Sequence, residues 1–216
     1  KMCGGCDWLH VNYQEQLRIK ENIVRDYFND YIKKGTVFEE ITASPESDFY
    51  RNKVFLPVSK DRMGKLYAGI FSRRSHNVVP IQKCYLQPEG SEEIIKYALD
   101  LLNKANITPY DEKTDRGVLR HIGIRYSFSE NNYILILVTK GNKLPFDHIF
   151  VREMNAKFPE VIGIVQNINS GRGNNILGDD YKVLFGTEYL IEKIRNVTYR
   201  IHYSSFFQVN THLTHL

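Results

Sequence analysis

Cys3-Gly4-Gly5-Cys6 and Cys84, the latter within Gln82-Lys83-Cys84-Tyr85-Leu86-Gln87-Pro88, account for every cysteine in this chain of 216 residues. Two thiolates separated by two residues can turn onto one metal ion or cluster. The intervening glycines remove bulk and free the backbone for a tight loop. Four thiolates usually complete a cluster site, so three predict a missing first ligand just upstream of the motif. The same spacing serves redox dithiols, but those open a helix after a strand, and here Asp7-Trp8-Leu9-His10 follows instead. Cys84 alone could be a small buried hydrophobe. The odd count, the length and the lack of an apolar signal segment argue against an extracellular disulfide framework, and the expectation is a cytoplasmic protein.

A second group lies far along the chain. Ser204-Ser205-Phe206-Phe207-Gln208-Val209-Asn210 places two aromatics and two amides together. They read either as a hydrophobic plug with a helix cap, or as a site where an aromatic stacks on a planar ligand that an amide then reads. Basic residues recur at strand positions: Arg51 and Lys53 on one face, His121 and Arg125 on one face, and Arg120 at a strand start. Most such side chains are solvated surface; together with aromatics they are candidates for phosphate contact. Gly171-Arg172-Gly173 lacks the third glycine and the following helix of a nucleotide loop. No Walker A, zincin or nucleophile-elbow motif occurs.

The elements that must position these groups follow from periodicity. Asn12, with Glu15 three residues on, caps a predicted helix over 13–34 whose apolar residues form one stripe, ended by Gly35. Residues 50–59 and 65–71 alternate as a hairpin, with Pro57 arguing for an edge or strand end. A basic loop, Arg73-Arg74-Ser75-His76, follows. A helix capped by Ser91 or Glu92 is predicted over 91–104, a hairpin over 117–128 and 133–139 with a central second strand, a helix over 146–158, and strands over 161–168, 181–185, 189–194 and 197–203. Paired strands with intervening helices predict an α+β fold with a mixed, largely antiparallel sheet and flanking helices behind the cysteine-rich loop. Hydrophobic residues make up 42% and charged ones 25%, with a net charge of +4 and a mean hydropathy of −0.39. That is a soluble composition, mildly basic, which permits nucleic-acid binding. No apolar run approaches the ~20 residues of a membrane span.

These pieces resemble the iron–sulfur RNA uracil-5-methyltransferases, which use S-adenosylmethionine to make 5-methyluridine in ribosomal RNA. The resemblance is carried by Cys3-Gly4-Gly5-Cys6-Asp7-Trp8-Leu9-His10 with Gln14, Tyr50-Arg51-Asn52-Lys53, Cys84, and Leu119-Arg120-His121-Ile122-Gly123-Ile124-Arg125. Gln166-Asn167-Ile168-Asn169 and Ser205-Phe206-Phe207-Gln208-Val209-Asn210 extend it along the whole chain. It implies that Cys3, Cys6 and Cys84 are three of four ligands to a [4Fe–4S] cluster, that Gln208 contacts S-adenosylmethionine, and that Phe206 lies by the flipped uracil. It also implies RNA contacts from the central domain. Family chemistry adds a cysteine thiolate to C6 of uracil and then removes the C5 proton with a base. With all three cysteines assigned to the cluster and no strand, glycine-rich turn and helix for the methyl donor, no catalytic residue is expected here. The expectation is a fragment, inactive alone: residues 1–37 as cluster loop and helix, 38–203 as an RNA-binding α+β domain, and 204–216 as the start of the methyltransferase domain. The partner implied is ribosomal RNA, with no membrane and no protein partner. The alternative from spacing alone is a zinc-stabilised RNA-binding module without enzymatic activity.

Overall fold

The computed structural model describes residues 3–145 and 147–216. Asn12 opens helix α1 (Tyr13–Tyr27) as expected, its Oδ1 accepting the Glu15 N–H at 2.9 Å. The helix does not run on to residue 34. It breaks at Phe28, where φ is −104° and ψ 11°, and resumes as the short α2 (Asn29–Lys33), with Gly35 beyond it at φ +96°. Leu17 alone of the apolar stripe is buried, and Tyr27 is 81% exposed. Helix periodicity was sufficient to locate the helix but not to say whether its stripe is covered.

Strand β1 (Lys53–Lys60) turns alternation into two faces: Leu56 and Val58 are buried on one, and Phe55 packs on the other. It joins β2 (Leu66–Phe71), β3 (Val78–Pro80), β4 (Leu119–Ser127), β5 (Asn132–Thr139), β6 (Val161–Ile168) and β7 (Asp180–Gly186) in one sheet. The order is β3-β2-β1-β4-β5-β6-β7, antiparallel throughout except for the parallel pair β5 and β6. A parallel pair needs a crossover, which α4 (Asp147–Lys157) supplies after α3 (Ser91–Lys104). The predicted first residue of α4, Phe146, lies outside the described residues. The mixed α+β fold is therefore as the sequence predicts, with β5 central.

Two details differ from expectation. Pro57 is interior to the sheet. Residues 53–57 of β1 pair with β4, and residues 58–60 pair with β2, so the residue lacking an N–H stands where the strand changes partners. Helix α3 is capped by Gly90 at φ +81° with no side-chain cap, not by Ser91 or Glu92.

Helices α3 and α4 cover one sheet face, where Ile94, Ala98, Leu102, Phe150 and Met154 join Leu56, Ile122, Leu135 and Leu137. The hairpin of β8 (Tyr189–Ile194) and β9 (Val197–His202) lies against the other, with Leu190 and Tyr203 packed on Ile134, Ile136, Val138 and Val165. Buried Glu192 fastens it, accepting the N–H groups of Phe128 and Ser129 at 2.9 Å each. A final turn, α5 (Thr211–Thr214), is capped by Asn210. No helix among the described residues is long and apolar enough to cross a membrane.

Candidate functional site

Residues 204–210 leave β9 and run back across the start of β1, and buried polar side chains hold them there. Arg125 on β4 is only 1% exposed, and its Nη1 donates to the carbonyls of His202, Tyr203 and Ser205 at 2.6, 2.9 and 2.7 Å. Asn52, 2% exposed, donates through Nδ2 to the Gln208 carbonyl at 2.7 Å and to Thr211 Oγ1 at 2.9 Å. Its own N–H bonds the Val209 carbonyl. Asn210 reaches Ser44 Oγ at 2.9 Å and pairs with Arg51 across a β-bridge. Phe207 is half-buried against the exposed Tyr199, with ring centroids 5.6 Å apart. This leaves Phe206 79% exposed and the Gln208 side chain exposed on a backbone that cannot move freely. Asn210 is the cap, Phe207 is half-buried and joins neither core cluster, and Phe206 and Gln208 face solvent.

The basic candidates divide. Lys53 Nζ lies 3.5 Å from the Ser205 carbonyl. Burial, and then the charge of Arg125, draw its pKa below the ordinary lysine value. Arg51 gives its backbone N–H to Leu86, while its Nε is buried without a partner at the wall of a cleft of about 760 Å³ shared with Trp8, Lys20 and Tyr50. Arg125 and Arg120 are the correction. A guanidinium reaching for phosphate must meet solvent, and these are among the buried residues. Arg125 braces the 202–205 backbone, and burial pushes its pKa down to about 10. Arg120, 5% exposed, holds the carbonyls of Asn169 and Gly171 at 2.9 and 2.6 Å and sits over the Tyr110 ring. His121 shares its face of β4 with Arg125. Burial, the Arg120 charge adding to it and Glu112 opposing, pushes its pKa down to about 4.

The cysteine motif is built onto the end of β2. Cys3 bridges Ser72, and the Gly4 N–H donates to the Phe71 carbonyl at 3.1 Å. A Cβ on Gly4 would come within 2.7 Å of that oxygen, so the close approach requires glycine. Cys3 Sγ accepts the Gly5 N–H at 3.3 Å. Cys3, Cys6 and Cys84 are all free and half-buried, and they line one cavity of about 520 Å³ with Leu9, Ile70 and Ile81. The donors that the spacing argument groups together therefore share one cavity, which fits a common ligand in composition. Among the described residues, however, no three His, Cys, Asp or Glu side chains stand close enough to hold a single ion.

Three groups escaped the sequence reading. Asn52 was visible only as a neighbour of Arg51 and Lys53; a short amide in an alternating strand, where an apolar residue would pack, was its signal. Asn167 and Asn169 bind the loop before β7, Asn167 donating to Gly178 and Asp180 and Asn169 to Asn175 and Ile176. Glu192 gave no signal beyond alternating with apolar neighbours.

No protein-family model matches the chain. It is 37% identical over 208 residues to an uncharacterized RNA methyltransferase of Clostridium tetani, a match covering 96% of this chain and 45% of that protein. With an uncharacterized RNA methyltransferase of Oceanobacillus iheyensis the identity is 37% over 214 residues, covering 96% and 46%. The chain thus spans about half the length of the curated relatives it matches. Among solved structures, the tRNA (uracil-54, C5)-methyltransferase of Pyrococcus abyssi, in complex with S-adenosyl-L-homocysteine, superimposes with a TM-score of 0.79 at 25% identity, covering 99% of this chain and 48% of that one. Over nearly all its length, this chain is similar to proteins named RNA methyltransferases and shares its fold with a tRNA uracil-C5 methyltransferase.

Proposed function

We propose that the protein carrying this chain is an S-adenosylmethionine-dependent RNA methyltransferase that forms 5-methyluridine, with ribosomal RNA as its substrate. The observation that carries the reading is the 204–210 segment, where exposed Phe206 and Gln208 are presented on a backbone fixed by Arg125 and Asn52. Uracil in folded RNA is stacked, and reaching its C5–C6 edge requires extruding it at a cost of a few kcal/mol. An exposed aromatic recovers part of that cost, since stacking a base on such a ring contributes about 1–3 kcal/mol. Phe206 stacks against the extruded base, and Lys53 beside it attracts the neighbouring phosphate. Gln208 offers an amide donor and acceptor to the methyl donor, which when bound supplies an electrophilic methyl group. Residues 38–203 grip RNA, 204–216 begin the cofactor-binding part, and 1–37 with Cys84 form the cluster site. The protein acts in the cytoplasm. Residues 1–216 by themselves transfer no methyl group, because their three cysteines are committed elsewhere and none is left as nucleophile.

The cluster assignment for Cys3, Cys6 and Cys84 is supported by their shared cavity. A [4Fe–4S] cluster fits better than one zinc ion, because each thiolate then holds its own iron rather than converging on a single centre at ~2.3 Å. The site would fix the loop ahead of α1. Iron and sulfide analysis of anaerobically purified full-length protein should give about four of each per chain; one zinc and no sulfide would remove the cluster and favour the binding-module reading. The functional test is methyl transfer from labelled S-adenosylmethionine to unmodified ribosomal RNA by the full-length protein. Phe206→Ala should lower kcat/KM by about 5–150-fold, the equivalent of the stacking contribution. No label in uridine under any condition would refute the reading.

A further inference from the structure

On the sheet face opposite α3 and α4, a second cleft of about 680 Å³ opens between β1, β4, the 71–76 turn and the loop at 173–176. Its position relative to Lys53, whose Nζ lies 3.5 Å from the Ser205 carbonyl, is set by strand register. Lys53 pairs with Arg125, Phe55 with Gly123 and Pro57 with His121, so these six residues share one face. The cleft begins where Phe55 and Pro57 end the row that starts at Lys53. Four residues at about 3.3 Å per residue place it roughly 13 Å from Lys53.

Its chemistry is that of a nucleotide site. Arg73 and Arg74 are exposed at its rim, Phe71 and His76 stack with centroids 5.2 Å apart, and Asn174 and Asn175 close the far wall. Three arginines line it: Arg74, then Arg73, which is ion-paired with Asp7, and Arg120, turned to the carbonyls of Asn169 and Gly171; the one lining carboxylate, Glu112, is occupied by His76 Nδ1 at 2.8 Å. Two buried polar atoms there, Arg120 Nε and His121 Nδ1, have no partner. The turn itself is costly. Ser75 N–H bonds the Ser72 carbonyl, and Arg74 is held at φ +53°, a left-handed conformation that suits glycine better than arginine.

We propose that this cleft binds a nucleotide of single-stranded RNA that flanks the one presented to Phe206, so that the chain reads RNA at two points on one sheet face. This rests on the functional reading above. Arg74 takes one backbone phosphate, and Arg73 takes a second by exchanging its exposed partner Asp7 for it; these contacts fix register. The Phe71–His76 pair is a stacking surface for the base. At about 3.4 Å per stacked nucleotide, 13 Å separates the two points by about four nucleotides, fewer if the strand is splayed.

The test is binding of fluorescein-labelled single-stranded RNA to the full-length protein by anisotropy, across a salt series. One RNA is a nonamer with a central uridine and the other a trimer centred on uridine. For the nonamer, Arg73→Ala/Arg74→Ala should weaken binding about tenfold and lower the log–log salt slope by about 0.7–1.4, the loss of one or two single-strand phosphate contacts. Arg74→Lys should restore part of the slope, and trimer binding should not change. Both side chains are exposed, so thermal unfolding should match the wild type. An unchanged nonamer slope, or equal loss for nonamer and trimer, would overturn the cleft proposal and leave the functional reading standing. A wild-type protein that binds neither RNA would overturn both.

Discussion

Arg125→Met isolates the device that fixes the 204–210 segment. Three hydrogen bonds run from one Nη1 to carbonyls, at 2.6–2.9 Å. Nη1 carries two hydrogens, so the three carbonyls share two donors; at about 1.5–3 kcal/mol per bond to a charged group, the loss is roughly 3–6 kcal/mol. Methionine also removes costs. Burying a guanidinium costs several kcal/mol, and Nη2 is itself buried without a partner, a penalty of about 1–3 kcal/mol. Of the stranded carbonyls, that of Ser205 belongs to an exposed residue and recovers water. The balance is a destabilisation of about 1–3 kcal/mol. For a domain of this size that lowers Tm by about 2–12 °C. Thermal unfolding followed by circular dichroism gives the first number, and hydrogen exchange at residues 202–206 should rise with it. Methyl transfer by the full-length protein should fall further than RNA affinity, because Phe206 loses its platform while the cleft near His121 keeps its arginines. A Tm within about 2 °C of wild type, with unchanged exchange, would refute the idea that this arginine braces the segment.

Two other perturbations separate packing from electrostatics. A Cβ at Gly123 would lie 2.4 Å from Phe55 Cε1, so Gly123→Ala should cost about 1–3 kcal/mol in urea unfolding. Phe55→Leu in the same chain should recover at least ~1 kcal/mol of it, and strict additivity in the double-mutant cycle would contradict the ring-over-glycine contact. The His121 pKa of about 4, against 6.5 when unfolded, means the unfolded chain binds more protons between those values. Stability should therefore be full above pH 6.5 and decline as pH falls toward 4, by about 2–3 kcal/mol from this residue. His121→Gln should flatten that window relative to wild type, and identical pH profiles for the two proteins would rule out burial of a neutral imidazole.

Regular elements were legible where one physical cause dominated. The 3.6-residue period located α3, with its ends at Ser91 and Lys104, and continuous apolar runs located β5 and β6. Strand β3 was not, because three residues carry no period. The break at Phe28 was hidden because aromatics on both sides kept the helical spacing, although no covering element rewards it. In the site, residue types pointed to the right places but not to the right roles. Arg120 and Arg125 look like surface cations in a strand pattern, and only the approach of residues 202–205 and 169–171 shows that they face carbonyls. Asn52 acts through a contact with Thr211, far beyond any local window.

That contact has a consequence for the order of assembly. Asn52 and Thr211 are 159 positions apart, and closing a flexible loop of that length costs about 4–5 kcal/mol in chain entropy before any contact repays it. The three neutral hydrogen bonds from Asn52 to this segment, at about 1 kcal/mol each, cannot meet that cost. The receptor for residues 208–211 therefore exists only once β1 has paired with β4, which has already brought the distant parts of the chain together. The segment bearing Phe206 and Gln208 docks late and, by the same arithmetic, detaches early. Under mild denaturant its release should precede loss of the sheet, making it a separate, less stable unit of the native structure.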